Sequence, residues 1–353
     1  MTDRTAASAL NVDPVDDATT TDRALGALTG LALGDALGMP TQSMSPAEIA
    51  EDYGTITGFR HAGPRQRIAA GMVAGSITDD TEQAVMLAEL LIEGAGVVDA
   101  RLFAERLLDW ERGMRAKGSL DLLGPSTKAA VERILQGASL DESGRFGATN
   151  GAAMRITPVG ITADVANLDS FVDAVVDASA VTHNTTLGIA SAAAVGAAVS
   201  AGINGADVPT AIRHAIAAAR VGETRGHWVA GGSIADRTEV AIDLLRGATP
   251  GDRVQLLRTV IGTSVASQES VVAALALVAV ADGEADATPW STLCQAAGLG
   301  GDTDTIAAMA GAILGAVHGM SAWPDAEVAV LNTVNELHLD DLAHDLLRLR
   351  HRR

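Results

Sequence analysis

The chain has 353 residues, 44 of them Asp or Glu against 25 Lys or Arg, for a formal net charge of −19; 48% are hydrophobic but only 3% aromatic. The acid excess excludes a general binder of nucleic-acid backbones, the shortage of rings excludes a stacking platform for single strands, and the apolar share excludes a chain disordered throughout. The sole cysteine, Cys294, excludes an intrachain disulfide and a thiolate zinc site, and agrees with a reducing, cytoplasmic setting.

Residues 1–22 carry Asp3, Asp13, Asp16, Asp17 and Asp22 and no apolar run, which predicts a disordered tail and no signal peptide. From there the pattern is helical. Apolar segments rich in Ala and other small residues at 24–37, 81–92, 187–201, 271–281 and 306–318 predict central helices. Ala has the highest helix propensity, and small side chains let helix axes approach closely. Mixed apolar and charged segments at 101–112, 126–135, 170–178, 209–219, 234–246 and 325–337 predict the helices around them. The longest apolar stretch, 187–203, falls short of the roughly 20 residues of a membrane span and is built largely from Ala, Gly and Ser. It predicts a core helix and no membrane association. Strand signals reduce to a short extended piece at 54–59. No linker rich in Pro, Ser or charge divides the chain. One all-α domain over 23–353 is therefore expected, although the length allows about two.

Four loops carry the chemistry. They are Gly34-Asp35-Ala36-Leu37-Gly38-Met39-Pro40-Thr41-Gln42, Ser76-Ile77-Thr78-Asp79-Asp80-Thr81, Gly147-Ala148-Thr149-Asn150-Gly151-Ala152-Ala153-Met154-Arg155 and Gly300-Gly301-Asp302-Thr303-Asp304-Thr305. The second and fourth each pack two Asp and flanking Thr residues directly before an Ala-rich helix. Such carboxylates cap and charge helix starts, and that reading suffices for one loop. Two such loops exceed what capping uses. If their helices are neighbours, Asp79, Asp80, Asp302 and Asp304 converge, and carboxylates at that density repel unless a cation lies among them. An all-oxygen donor set suits Mg²⁺ or Mn²⁺, with Ca²⁺ a further option.

The remaining signals admit two readings each. In the third loop, Gly147 and Gly151 allow close backbone approach and Asn150 offers donors and acceptors. Arg155 is either a fork for phosphate or carboxylate, or the partner of a core acid. His183 is either a structural residue at a helix start or a ligand-facing one. Gly124-Pro125-Ser126 is either a phosphate-binding helix start or an ordinary N-cap. No phosphate-binding loop of the Gly-x-x-x-x-Gly-Lys type occurs, and no Gly-x-Ser-x-Gly elbow.

In this order, Gly34-Asp35-Ala36-Leu37-Gly38, Thr78-Asp79-Asp80-Thr81, Asn150-Gly151-Ala152-Ala153-Met154-Arg155, Thr182-His183 and Gly300-Gly301-Asp302-Thr303-Asp304-Thr305 resemble the ADP-ribosylglycohydrolase family over residues 23–319. The resemblance implies an all-α, orthogonally packed single bundle and two Mg²⁺ or Mn²⁺ ions in a cleft. Thr78, Asp79 and Asp80 would hold one ion, and Asp302, Asp304 and Thr305 would complete the pair. Gln42, Asn150, Gly151 and His183, with Gly124 and Ser126, would line the substrate side. The implied reaction is hydrolysis of the glycosidic bond at ribose C1 of an ADP-ribosylated substrate, a protein target among them, by a metal-bound water. Asp80 or Asp302 would take its proton.

Two departures bear on that expectation. Many family members carry Glu where this chain has Gln42, and an amide cannot act as a base near neutral pH. Some carry an adenine-stacking aromatic where this chain has Ala148, with Phe146 two positions away. Alternatives are therefore a nucleoside or small ribosyl-conjugate hydrolase on the same fold, and a catalytically silent protein that binds ADP-ribose and metal.

Overall fold

The computed structural model describes residues 17–118, 123–284 and 286–351, and among them the only pairings of extended backbone are isolated bridges. The first half contains α1 (Asp17–Gly38), α2 (Pro46–Asp52), α3 (Asp79–Glu93), α4 (Ala100–Ala116), α5 (Pro125–Leu135), α6 (Leu140–Ser143), α7 (Gly151–Met154), α8 (Thr157–Thr162) and α9 (Leu168–His183). The second contains α10 (Thr186–Ile203), α11 (Val208–Gly222), α12 (Ile234–Arg246), α13 (Pro250–Leu256), α14 (Ser267–Ala281), α15 (Pro289–Ala297), α16 (Thr303–His318), α17 (Asp325–Asn335) and α18 (Leu339–Arg350). The fold is all-α, as expected.

Glycine spacing sets the centre. In α1, Gly26, Gly30, Gly34 and Gly38 recur every fourth residue and so share one face. A Cβ added at Gly30 would lie 2.2 Å from Gly311 O, one at Gly34 2.1 Å from Ala307 O, and one at Gly38 2.3 Å from Asp304 Cα. Partners descend along α16 as residues ascend along α1, so the two helices run antiparallel with backbones in contact. Both are enclosed by others: Gly26 to Gly38 of α1 and Thr303 to Val317 of α16 are buried without a break, as is Leu187 to Ile203 of α10. Among the described residues α10 alone has the length and hydropathy to cross a membrane, and 94% of it is buried inside the protein.

One expectation changes. Residues 1–16 of the expected tail lie outside the described residues, but α1 already begins at Asp17. Thr20 is buried, and Asp22 Oδ1 accepts from Met320 N (3.4 Å), so the turn after α16 ties down a segment whose polar composition hides the contact. The piece at 54–59 joins no sheet, because it has no neighbouring strand.

Candidate active site

Helix α1 brings the two Asp-bearing loops together. Asp35, fully buried on α1, accepts from Thr78 N (3.1 and 3.0 Å to its two oxygens), Thr78 Oγ1 (2.7 Å), Thr81 N (3.1 Å) and Thr81 Oγ1 (2.5 Å). It thus satisfies orphan donors at the start of α3. Burial still pushes its carboxyl up to about 6, against the pull of those donors. One turn further on, Gly38 backs directly onto Asp304 at the start of α16. The loop before α16 is pinned by Ser43 N to Gly301 O (2.7 Å), Gly301 N to Met44 O (3.0 Å) and Asp302 N to Thr263 O (2.7 Å). That path requires glycine: Gly300 and Gly301 have φ of 84° and 80°.

The result is a cavity of about 280 Å³. Of the residues singled out in the sequence, Gln42, Asp79, Asp80, Gly124, Asn150, Gly151, Asp302, Asp304 and Thr305 line it. Thr78, Ser126 and His183 do not. The Thr78 hydroxyl donates to Asp35 and accepts from Asp80 N (3.4 Å). Ser126 Oγ accepts from Thr149 N (3.4 Å). His183 is fully buried behind the wall, where a Cβ on Gly151 would lie 2.9 Å from its Cε1. Arg155 takes neither of its two expected roles. It is fully buried away from the cavity and donates to the neutral groups Gln83 Oε1 (3.0 Å) and Thr182 Oγ1 (2.5 Å), with its guanidinium 4.9 Å from the Phe103 ring centre.

Capping does not explain the cavity carboxylates. Thr78, not Asp79 or Asp80, supplies the side-chain cap of α3. Asp302 occupies the N-cap of α16 yet makes no capping bond. Its Oδ2 instead accepts from Asn150 Nδ2, which also donates to Ser270 Oγ (2.9 Å). Burial pushes Asp302 up to about 6, while the Asn150 and Thr305 donors oppose this. Asp80 is driven well above the usual carboxylate range, first by burial and then by the charges of Asp304, Asp79, Asp35 and Asp302. Its Oδ2 accepts from Thr305 Oγ1 (3.4 Å), and its Oδ1 is buried with no donor from the protein. Crowded, desolvated carboxylates with an unused buried oxygen fit a divalent cation, and the all-oxygen donors fit Mg²⁺ or Mn²⁺. Gln42 Nε2 is likewise buried without an acceptor.

Three residues that sequence reasoning passed over as site residues support this arrangement. Asp35 sits in a quoted motif but reads as part of an apolar helix. Gln83, buried on α3, donates Nε2 to Asp79 Oδ2 (2.8 Å). Gln66 fastens the wall beside Gln42: its Nε2 donates to Met39 O, Pro40 O and Gln42 O (3.3, 3.3 and 3.0 Å), and its Oε1 accepts from Ile68 N (2.8 Å). Nothing in the run Arg65-Gln66-Arg67 distinguishes that Gln from a solvated loop residue. A separate trio, Asp141, Glu142 and His227, brings ligand-type atoms within 4.8 Å of one another. There Glu142 is engaged by Arg145 (2.6 Å) and Asp141 by Asn184 (3.0 Å), while the half-buried His227 has no hydrogen-bond partner at Nε2 among the described residues.

The ADP-ribosylglycohydrolase family model matches residues 16–353. Uncharacterized protein YegU of Escherichia coli (strain K12) is 37% identical, covering 94% of this chain and 98% of its own. The ADP-ribosyl-[dinitrogen reductase] glycohydrolase of Rhodospirillum rubrum is 27% identical, covering 93% and 96%. A solved ADP-ribosylglycohydrolase-related protein complex superposes with a TM-score of 0.68 at 23% identity, over 94% of this chain and 99% of that one.

Proposed function

The chain belongs to the ADP-ribosylglycohydrolase family, and from that premise we propose that it is a divalent-cation-dependent hydrolase of the glycosidic bond at ribose C1 of ADP-ribosylated substrates. One observation carries the reading: four carboxylates from two helix starts meet in one cavity, and Asp80 keeps a buried oxygen without a protein donor. Asp79, Asp80, Asp302 and Asp304, with Thr305, would hold Mg²⁺ or Mn²⁺, two ions by the resemblance. Bound there, the ions would supply Lewis-acid chemistry, orienting ribose hydroxyls and acidifying water. Asp80, almost fully buried where it lines the cavity, suits a ligand. Asp302 is only half buried and its carboxylate is oriented by Asn150. In this scheme it accepts a proton as water attacks C1, and the leaving group departs with the bonding pair, through charge of oxocarbenium type. Asn150 and Gly151 form the wall against which the sugar packs, and Gln42 offers its amide to a substrate oxygen.

A second reading has its own support: among the described residues no aromatic side chain lines the cavity, so nothing there stacks on adenine. That favours a nucleoside or a small ribosyl conjugate. Turnover of ADP-ribosyl-arginine, ADP-ribosyl-serine and free nucleosides with Mg²⁺ or Mn²⁺ separates the two. Turnover of an ADP-ribosylated compound is expected; reaction of nucleosides alone would replace the first reading by the second. Binding of metal and ADP-ribose without turnover, with activity appearing in Gln42→Glu, would make the protein a silent binder.

A further inference from the structure

Arg155 heads the largest side chains that the fold buries completely. A buried guanidinium is costly unless negative charge offsets it nearby, yet its bonded donors go to neutral atoms, Gln83 Oε1 and Thr182 Oγ1, and its Nε has no partner. The explanation lies one bond further out along each arm. An arginine only donates, so Gln83 must turn its oxygen toward Arg155 and its Nε2 toward Asp79 Oδ2 (2.8 Å). On the other arm Thr182 Oγ1 accepts from Arg155, and because His183 Nδ1 (2.7 Å) is the one acceptor within reach of its own hydrogen among the described residues, that hydrogen is assigned to it. That leaves the His183 Nε2–H to donate to Thr149 Oγ1 (3.0 Å). Asp79 and Thr149 both line the cavity. One cation behind the site therefore orients two chains of hydrogen bonds that end on two residues of its wall.

We infer that Arg155 is a positioning residue with separable arms: through Gln83 it holds the Asp79 carboxylate ready for a divalent cation, and through Thr182 and His183 it holds the Thr149 wall ready for the ribosyl ligand. The inference rests on the metal site proposed above. Its test is a Mn²⁺ titration of the full chain followed by electron paramagnetic resonance, with ADP-ribose binding to the Mn²⁺-loaded protein followed by calorimetry. Arg155→Met and Gln83→Leu are each expected to weaken Mn²⁺ binding about 10- to 100-fold, the usual cost of removing a partner of a metal ligand. The double variant is expected to be no weaker than the worse single one, because the arm acts as a unit. Thr182→Val is expected to leave Mn²⁺ affinity within about twofold while weakening ADP-ribose about 10-fold or more, by releasing His183 and Thr149. Arg155→Lys keeps the charge but lacks the fork, so it rescues one arm at most.

Unchanged Mn²⁺ affinity in folded Arg155→Met or Gln83→Leu, or additive losses in the double variant, overturns the inference while leaving the metal site standing. So does a Thr182→Val loss of Mn²⁺ affinity as large as that of Gln83→Leu. Wild-type protein that fails to bind Mn²⁺ overturns the inference and the metal reading together. Should Arg155→Met not fold, Gln83→Leu and Thr182→Val test the two arms without it.

Discussion

At the scale of single residues, spacing picked out four acids that the fold brings to one cavity and left their individual jobs open. Asp302 shows why. A carboxylate before an Ala-rich helix reads as an N-cap, but its bond goes to Asn150, a residue 152 positions earlier in the chain. Asp302→Asn keeps an acceptor for Asn150 and removes one charge. It is expected to weaken Mn²⁺ binding about 10- to 100-fold, measured by titration, and to lower turnover with it. A capping residue would instead show a stability loss of about 0.5–2 kcal/mol and unchanged metal stoichiometry. His183 gives a second residue-scale prediction. Burial first, then the Arg155 charge, holds its imidazole well below its usual range, so it stays neutral in the fold. The unfolded chain takes up that proton below about pH 6.5, so stability falls as pH drops through that value, by at most about 1.4 kcal/mol per pH unit. In His183→Gln this share of the slope should vanish, read from denaturant unfolding at pH 7.5 and 5.5. An equal slope in both proteins would mean that the imidazole is protonated in the fold.

At the scale of elements, the glycine face of α1 decides the geometry. Gly34→Ala adds a methyl 2.1 Å from Ala307 O, against backbone that cannot turn aside. Overpacking of about 1–3 kcal/mol is expected, partly offset by the better helix propensity of Ala. The same push displaces the start of α16, so Mn²⁺ affinity should fall with stability. Gly113, on the exposed side of α4, has nothing within 4 Å of an added Cβ. Gly113→Ala should raise stability by up to about 1 kcal/mol and leave metal binding unchanged. Thermal unfolding of the two variants side by side checks the contrast. The long helices were legible from composition because Ala-rich apolar segments have few other ways to be buried. Short helices such as α7 and α8, and the amphipathic α18, went unassigned. Four to six residues carry too little periodicity to read, whereas α18 carries a legible stripe, Leu339, Ala343, Leu346 and Leu347 at helical spacing among its charges.

For the whole molecule, the excess of acid acquires a local meaning. Most of the 44 carboxylates lie elsewhere on the chain, but five of them, Asp35, Asp79, Asp80, Asp302 and Asp304, gather around one cavity floor with Arg155 as the buried cation behind it. A divalent ion that binds only the folded chain must then stabilise it, by about 2.7 kcal/mol at 100 times its dissociation constant. Thermal unfolding with Mn²⁺ and with a chelator should differ accordingly in wild type and hardly at all in Asp80→Asn; equal shifts in both would remove the metal from this cavity. By itself the sequence determined the helical class, the two Asp-bearing loops, the family resemblance and the oxygen-rich donor set, because propensity, motif order and ligand chemistry are written along one dimension. Only the tertiary structure decided that the loops meet, that His183 and Arg155 stand behind the wall, and that Asp35 joins α1 to α3. Those facts depend on which helices are neighbours, and periodicity reports that a face is buried without saying against what.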